Sequence, residues 1–593
     1  MRTAHWLTLA CTITLAIACG PNGRPGNGGD GGHGSGDGGN NNGDGCSSDL
    51  HNVVDMNGNV VQTCPDDQGC ANGMCVPACQ AAAASQGSVG CDFVVATPSF
   101  LPLIAPPCFA VFLANNWPLD SVVTITRGSQ TYDPATYGRV PDGTPNAATW
   151  PAVPSTGIAS SNVGVLFLSS DPNSENGTPT TCPITPAVST TDGAAVYSGS
   201  NAASGMGTAF HITTSVPVSA YDIMPYGGAS SYLPSAELLL PTTAWGTNYV
   251  TAGPTLVSPA TLEFGQTNGP GWGAVVASMD NTMVQITPTK PLPAGTGVVA
   301  APMGQTTTYT LNSGQFVQWQ DSGDMAGSVI TSSNPVAYTG GSGYLCLADA
   351  TSMGGGCDSS HQLIPPVSAM GYEYVAPPYA TRRADLQPES ILYRIVGMVA
   401  GTTLTYSPAV AGAPTTVGVG QVVEFQSTTP FIVTSQDMMH PFYVAQYMTG
   451  CELTAGTRAG DGGYGCLGDE EYVNILPPAQ WLQSYVFFTD PTYDTTNIVV
   501  TRAADASGTF SDVMVDCLGT LTGWQPVGDG TKFQVTNADM QRDTPVGTCT
   551  NGRHTSSSAG AFNIMVWGLS GAASYAYPAG GNVGKINPVV VIQ

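Results

Sequence analysis

Apolar and polar residues alternate in short runs through most of this chain. SVVTIT from Ser121, TMVQIT from Thr282, TTLTY from Thr402 and NIVVT from Asn497 set aliphatic residues among threonines. Two further stretches, LNSGQFVQWQ (residues 311–320) and VGVGQVVEFQ (residues 417–426), alternate after a glycine turn. A period of two sends successive side chains to opposite faces, the pattern of a half-buried strand. Branched and threonine side chains suit that pleated surface. No segment carries a helical period of useful length, so the pattern predicts an all-β protein.

The strand pattern repeats. Pro241, Trp245, Tyr249 and Val250 recur as Pro366, Met370, Tyr374 and Val375, then as Pro477, Trp481, Tyr485 and Val486, at separations of 125 and 111 residues. SVPVSAY from Ser215 is echoed by SNPVAY from Ser333 and by HPFYVAQY from His440. Self-similarity of this kind is the signature of a repeat architecture. Four units are expected, starting near residues 91, 235, 361 and 472, with about four main strands each. Propeller-like blades and tandem β-sandwiches both fit that strand count, and the units are long for blades. Aromatic residues that return at one place in each unit read as repeated core packing.

The N-terminal region departs from this pattern. Trp6 to Ala18 is uncharged and follows Arg2; at 13 residues it has the length of a signal-peptide core and is too short to span a bilayer. Residues 15–20, LAIACG, resemble a bacterial lipobox, with Ala16 where leucine is usual. Residues 1–18 are thus expected to be a lipoprotein signal and Cys19 the site of lipid attachment; an ordinary secretory signal is the alternative. Residues 19–45 form a spacer with 13 glycines, nothing apolar to bury and every reason to stay a coil.

Of 16 cysteines, removing Cys11 and Cys19 leaves an even 14. In an exported protein an even set reads as disulfides. Cys46, Cys64, Cys70, Cys75, Cys79 and Cys91 are expected to pair among themselves, making residues 46–90 a small stapled module with hairpin-turn signals at residues 55–59 and at Asn72-Gly73. Cys346 with Cys357, Cys451 with Cys466 and Cys517 with Cys549 each bracket a turn-rich segment between recurring strands. Parity then leaves Cys108 for Cys182, although Cys91 with Cys108 is equally easy on sequence distance.

Composition narrows the partners. The net charge is −26 with only 14 basic residues, which repels phosphate backbones and excludes nucleic-acid binding as an expectation. Charged residues make up 9% of the chain, against 74 glycines and 46 prolines, as suits a turn-rich extracellular β-protein.

The stretches LLLPTTAWGTNYV, SSHQLIPPVSAMGYEYV, PVAYTGGSGYLC, FYVAQYMTGC and VWGLSGAASYAYPAGG resemble the IgGFc-binding protein N-terminal domain family, in that family's order. The resemblance covers about residues 91–581, so residues 91–593 are expected to form one all-β domain of this type. It implies a large extracellular domain that serves adhesion or binding.

A search for chemistry finds no H-E-x-x-H, G-x-S-x-G or phosphate loop. Asp358, one of Ser359 and Ser360, and His361 would make a hydrolase-like trio, but the resemblance implies that His361 lies in a loop behind a disulfide. Asp321-Ser322-Gly323 is half of an aspartic-protease motif, and such enzymes need two carboxylates. Residues 460–463 and 468–471 offer carboxylates to Ca²⁺ without EF-hand or repeat-toxin spacing, and surface acidity explains them equally well. The expectation is a non-enzymatic surface protein, held by membrane lipid through Cys19 in the outer membrane, which binds an extracellular protein or glycan and needs no metal or cofactor. Recognition would sit in the glycine-rich loops 343–360 and 450–471. A structural envelope component or an unrecognised secreted hydrolase are the alternatives.

Overall fold

A computed structural model describes residues 45–592 except 57, 102–103, 176, 190–203, 232, 255–270, 322–323, 348–356, 452–453 and 455. The signal, Cys19, most of the spacer, and Ser322 and Gly323 of the D-S-G motif lie outside the described residues.

The body consists of four copies of one topology. In each, a long strand crosses from one ladder into another. The long strand of unit I is Phe210–Met224, that of unit II Val329–Leu345 and that of unit IV Gly552–Ser570; in unit III it is divided into Phe431–Thr434 and Phe442–Met448. In unit II the first half pairs with Gly246–Val250 and Thr282–Thr287, while the second half pairs with Gly271–Ala277 and Asp358–Ile364. Gln315–Asp321 extends the second ladder beyond Gly271–Ala277. The same connections recur in units I, III and IV. Each unit is therefore a curled pair of ladders, not the single four-stranded sheet of a propeller blade. Among the described residues each holds eight or nine strands where about four main ones were expected, because short edge strands carry too little pattern to be read.

In three of the four units a proline stands where the long strand changes ladder; the long strand of unit IV, Gly552–Ser570, has none. Pro217, Pro335 and Pro441 lie at the switch in units I, II and III, where the register shifts between Thr213 and Val218, between Thr331 and Val336, or the strand breaks outright. Proline has no N–H to give a ladder and is tolerated at such a break. NIVVT, read as the counterpart of SVVTIT and TMVQIT, instead falls in Thr495–Ala503, the equivalent of Gly271–Ala277. Val513–Val515 holds the place that pattern suggested.

The strand that closes each unit is Ser235–Leu239, Asp358–Ile364, Glu471–Asn474 or Ala573–Pro578. Each packs against the next, and the fourth packs back on the first, so the four units form a ring about these strands. They end one unit rather than begin the next, which moves the boundaries from the expected residues to Pro241, Pro366 and Pro477. The unit joints are alike. A methyl on Gly90, Gly246 or Gly371 would overlap Pro241, Pro366 or Pro477, respectively, at the start of the next unit.

Ahead of the ring, Gly45–Cys46, Asn52–Val54 and Val60–Thr63 form one sheet, and Gln68–Ala71 pairs with Met74–Pro77 through a turn with positive φ at Asn72 and Gly73. Ala78–Ser85 is a helix that the sequence pattern did not announce. Its buried face is Ala78, Ala81 and Ala82, which contrasts too little with its alanine surroundings to show a period. Helical propensity of alanine and the bond from Cys79 to Cys91 hold it in place.

Candidate functional site

The strands at the ring axis are apolar, with acids set among them. Glu237 interrupts SAELLLP, Asp222 stands in VSAYDIMPY, and DSSHQLI and EYVN carry Asp358, His361 and Glu471. All five are buried.

Strand alternation decides which way each one points. Along Asp358–Ile364, Ser359 and His361 face unit I: the Ser359 hydroxyl donates to Leu233 O at 2.8 Å, and His361 Nε2 lies 2.9 Å from Asp222 Oδ1. Asp358 and Ser360 face units III and IV: Asp358 Oδ2 accepts from Ser574 N and Ser360 Oγ donates to Glu471. Gln362 Nε2 bridges, donating to Ala236 O of unit I at 2.9 Å and to Ala576 O of unit IV at 3.4 Å. The sequence-adjacent Asp358, Ser359 and His361 thus go to different partners and make no triad. His361 lies in a strand and not in a loop.

Glu471 joins the units. Its Oε1 accepts from the hydroxyls of Ser235 at 3.3 Å and Ser360 at 3.2 Å and from the N–H of Tyr472 at 2.7 Å, and the Ala576 N–H adds a weaker attraction. One carboxyl of the third closing strand is hydrogen-bonded to the first and second. Burial pushes the carboxyls of Glu471, Glu470, Asp358 and Glu237 well above the usual range, and neighbouring acids push Glu470, Asp358 and Glu237 further. Residues 469–471, expected as surface acidity, are in fact buried. The signal that exposes them is an acid inside an apolar strand, not a loop motif.

The two ends of the ring differ. The connections from long strand to closing strand meet at one end. Ser359 reaches Leu233, Leu347 N donates to Glu470 Oε1 at 3.1 Å, Ala572 N donates to Cys466 O at 3.0 Å, and Gly228–Ser231 packs on Ala573–Pro578. Cys346 is bonded to Cys357 and Cys451 to Cys466 here. The Cys451–Cys466 loop exposes Tyr464 by 61%. Residues 348–356 of the other predicted loop lie outside the described residues. At the opposite end the C-terminal segment crosses every unit. Asn582 N donates to Gln480 O, Gly581 N to Ser88 Oγ, Ile586 N to Ser368 O and Val591 N to Asn248 Oδ1.

Elsewhere Cys46 is bonded to Cys70, Cys64 to Cys75, Cys108 to Cys182 and Cys517 to Cys549. His554 and Asp516 adjoin Cys517, whose disulfide removes the thiolate that a metal would need. The motif residues Trp245, Tyr249, Met370, Tyr374, Trp481 and Tyr485 are buried, as repeated core packing requires.

The profile of the IgGFc binding protein family matches residues 235–568, from the first closing strand almost to the end of the last long strand. The chain belongs to this family. The human IgGFc-binding protein is 26% identical over 294 residues, which is 49% of this chain and 5% of that protein. No solved structure matches. In this member of the IgGFc-binding family, the matched region runs from the closing strand of unit I through units II and III to the long strand of unit IV, and the rest of unit I repeats their topology in front of it.

Proposed function

We propose that this chain is an exported surface protein, anchored to membrane lipid through Cys19 in the outer membrane, whose ring of four units binds an extracellular protein or glycan without turning it over. The gathering of loops from every unit at one end of the ring carries the reading. Loops on a rigid scaffold are where binding usually sits, and an exposed aromatic such as Tyr464 is a common anchor. Family membership supports it, since the human relative is named for binding IgG Fc. With a net charge of −26, the favoured partner is neutral or basic, and long-range attraction weakens with salt.

Two experiments test the proposal. Cys19→Ser is expected to release the protein from membranes, and unchanged detergent partitioning overturns the anchor. The full chain, screened against protein arrays containing immunoglobulin G, glycan arrays and generic hydrolase substrates, is expected to bind without turnover. Tyr464→Ala should weaken that binding about tenfold or more, the scale of an interface hot spot, at unchanged Tm. Binding indifferent to Tyr464 and to removal of residues 457–464 sinks the loop assignment. Turnover of a polymer favours the hydrolase, and silence on every array favours a structural envelope role.

A further inference from the structure

Asp222 and Glu237 are direct cross-strand partners in the antiparallel pair of Phe210–Met224 with Ser235–Leu239. Like charges in that position repel, and the cost grows with burial. Here both are buried, Asp222 at 1% and Glu237 at 4% exposure. Burial and the Asp222 carboxyl, which hydrogen-bonds to it, push the Glu237 carboxyl well above its usual range, and Asp222 Oδ2 and Glu237 Oε2 receive no hydrogen bond from an N–H or hydroxyl group. The third group comes from the next unit. His361, 2% exposed, places Nε2 at 2.9 Å from Asp222 Oδ1. One donor atom from each of the three lies within 4.8 Å of the other two.

We propose that Asp222, Glu237 and His361 bind a divalent cation that ties unit I to unit II. Two carboxylates and a neutral imidazole supply up to five donor atoms and two negative charges. An ion of charge two would convert the repelling cross-strand pair into a chelate and give both unpartnered oxygens a ligand. The donor set chooses the ion's class. Ca²⁺ and Mg²⁺ take oxygen, whereas imidazole with carboxylate suits Zn²⁺ or Mn²⁺. Tetrahedral donors around an ion with bonds of about 2.0–2.1 Å stand about 3.3–3.4 Å apart, so His361 Nε2 and Asp222 Oδ1, now hydrogen-bonded at 2.9 Å, need to part by only about 0.5 Å to share one. A cavity of ≈ 20 Å³ beside Glu237, lined also by Thr97, Trp272, Thr339 and Leu363, gives room for about one water-sized occupant next to the site. The enclosure makes the ion a structural fastener between units. This inference does not rest on the identity of the ligand at the loop end.

The test is metal analysis of the full chain purified without chelator. One equivalent of Zn²⁺ or Mn²⁺ is expected. Stripping it should lower Tm, and ZnCl2 or MnCl2, but not CaCl2, should restore it. Glu237→Gln and His361→Gln should each bind at least about tenfold more weakly. Stripping and reloading the wild-type chain needs no variant, so a substitution that fails to fold leaves the test intact. Less than a tenth of an equivalent, with Tm indifferent to both chelator and added metal, overturns the site. So does a full equivalent retained by a folded His361→Gln chain, and so does restoration by Ca²⁺ alone. Loss of array binding in the stripped chain bears on the loop end only, which keeps the two readings separable.

Discussion

One tyrosine hydroxyl, repeated in three units, holds the feature that defines the fold. Tyr249, Tyr374 and Tyr485 donate to Val336 O, Phe442 O and Phe562 O at 2.5–2.6 Å, each on the long strand where it turns from one ladder to the other. The same oxygens accept from the N–H groups of Gly246, Gly371 and Leu482 at 2.8–3.0 Å. The switch breaks the ladder, leaves backbone groups without strand partners, and the tyrosine replaces those partners. Unit I has Phe93 at the corresponding place, three residues after Gly90, and so lacks the bond. Tyr374→Phe would leave a buried N–H and a buried carbonyl unpaired, and a loss of about 1–3 kcal/mol is expected in denaturant unfolding. A change below about 0.5 kcal/mol would mean that the hydroxyl is incidental to the bend. The motif was legible as a repeat, and the burial of its aromatics followed from its regularity. What the hydroxyl does was not legible, since its acceptor lies about 70–90 residues away.

Between elements, the joints depend on the absence of a side chain. Gly371 lets the lead strand of unit III lie against Pro477, as Gly246 does against Pro366. Gly371→Ala pushes a methyl into that proline ring, and overpacking of a fixed contact costs about 1–3 kcal/mol. The expected outcome is a lower unfolding midpoint with secondary structure unchanged by circular dichroism. An unchanged midpoint would show that the joint yields freely. Prolines are visible as the first residue of each motif, and a glycine stands five residues later in two of the three, with Leu482 in the third. That the glycine of one unit meets the proline of the next is a fact of ring packing, which no local pattern encodes.

For the molecule as a whole, the acidic axis sets the response to pH. Burial holds the Glu471 carboxyl well above the ordinary glutamate value of 4.5. Between those values the native chain keeps a proton that the unfolded chain has released. Its contribution is therefore complete below about pH 4.5 and is lost as pH rises toward the folded value, at about 1.4 kcal/mol per pH unit for one proton. Glu471→Gln resembles the protonated acid and keeps the acceptor for Ser235 and Ser360. Thermal unfolding from pH 4.5 to 7.5, in chelator, is expected to fall for the wild type and to fall less steeply for Glu471→Gln. Parallel curves would place the pH dependence elsewhere.

Period-two alternation, cysteine parity and motif spacing were enough to specify an all-β repeat protein with four units, because these depend on neighbours along the chain. The proline in SVPVSAY and SNPVAY even marks where each long strand turns. Ring closure, the partner of His361 and the burial of residues 469–471 could come only from tertiary structure. Strand alternation says that a residue faces away from its neighbour, but not what it faces. Asp358 and His361 are three residues apart and point to different units, while Asp222 and His361, 139 residues apart, meet at 2.9 Å. An acid in an apolar strand signals a buried charge, and only the packing of four closing strands around one axis decides that several such acids share the same interior.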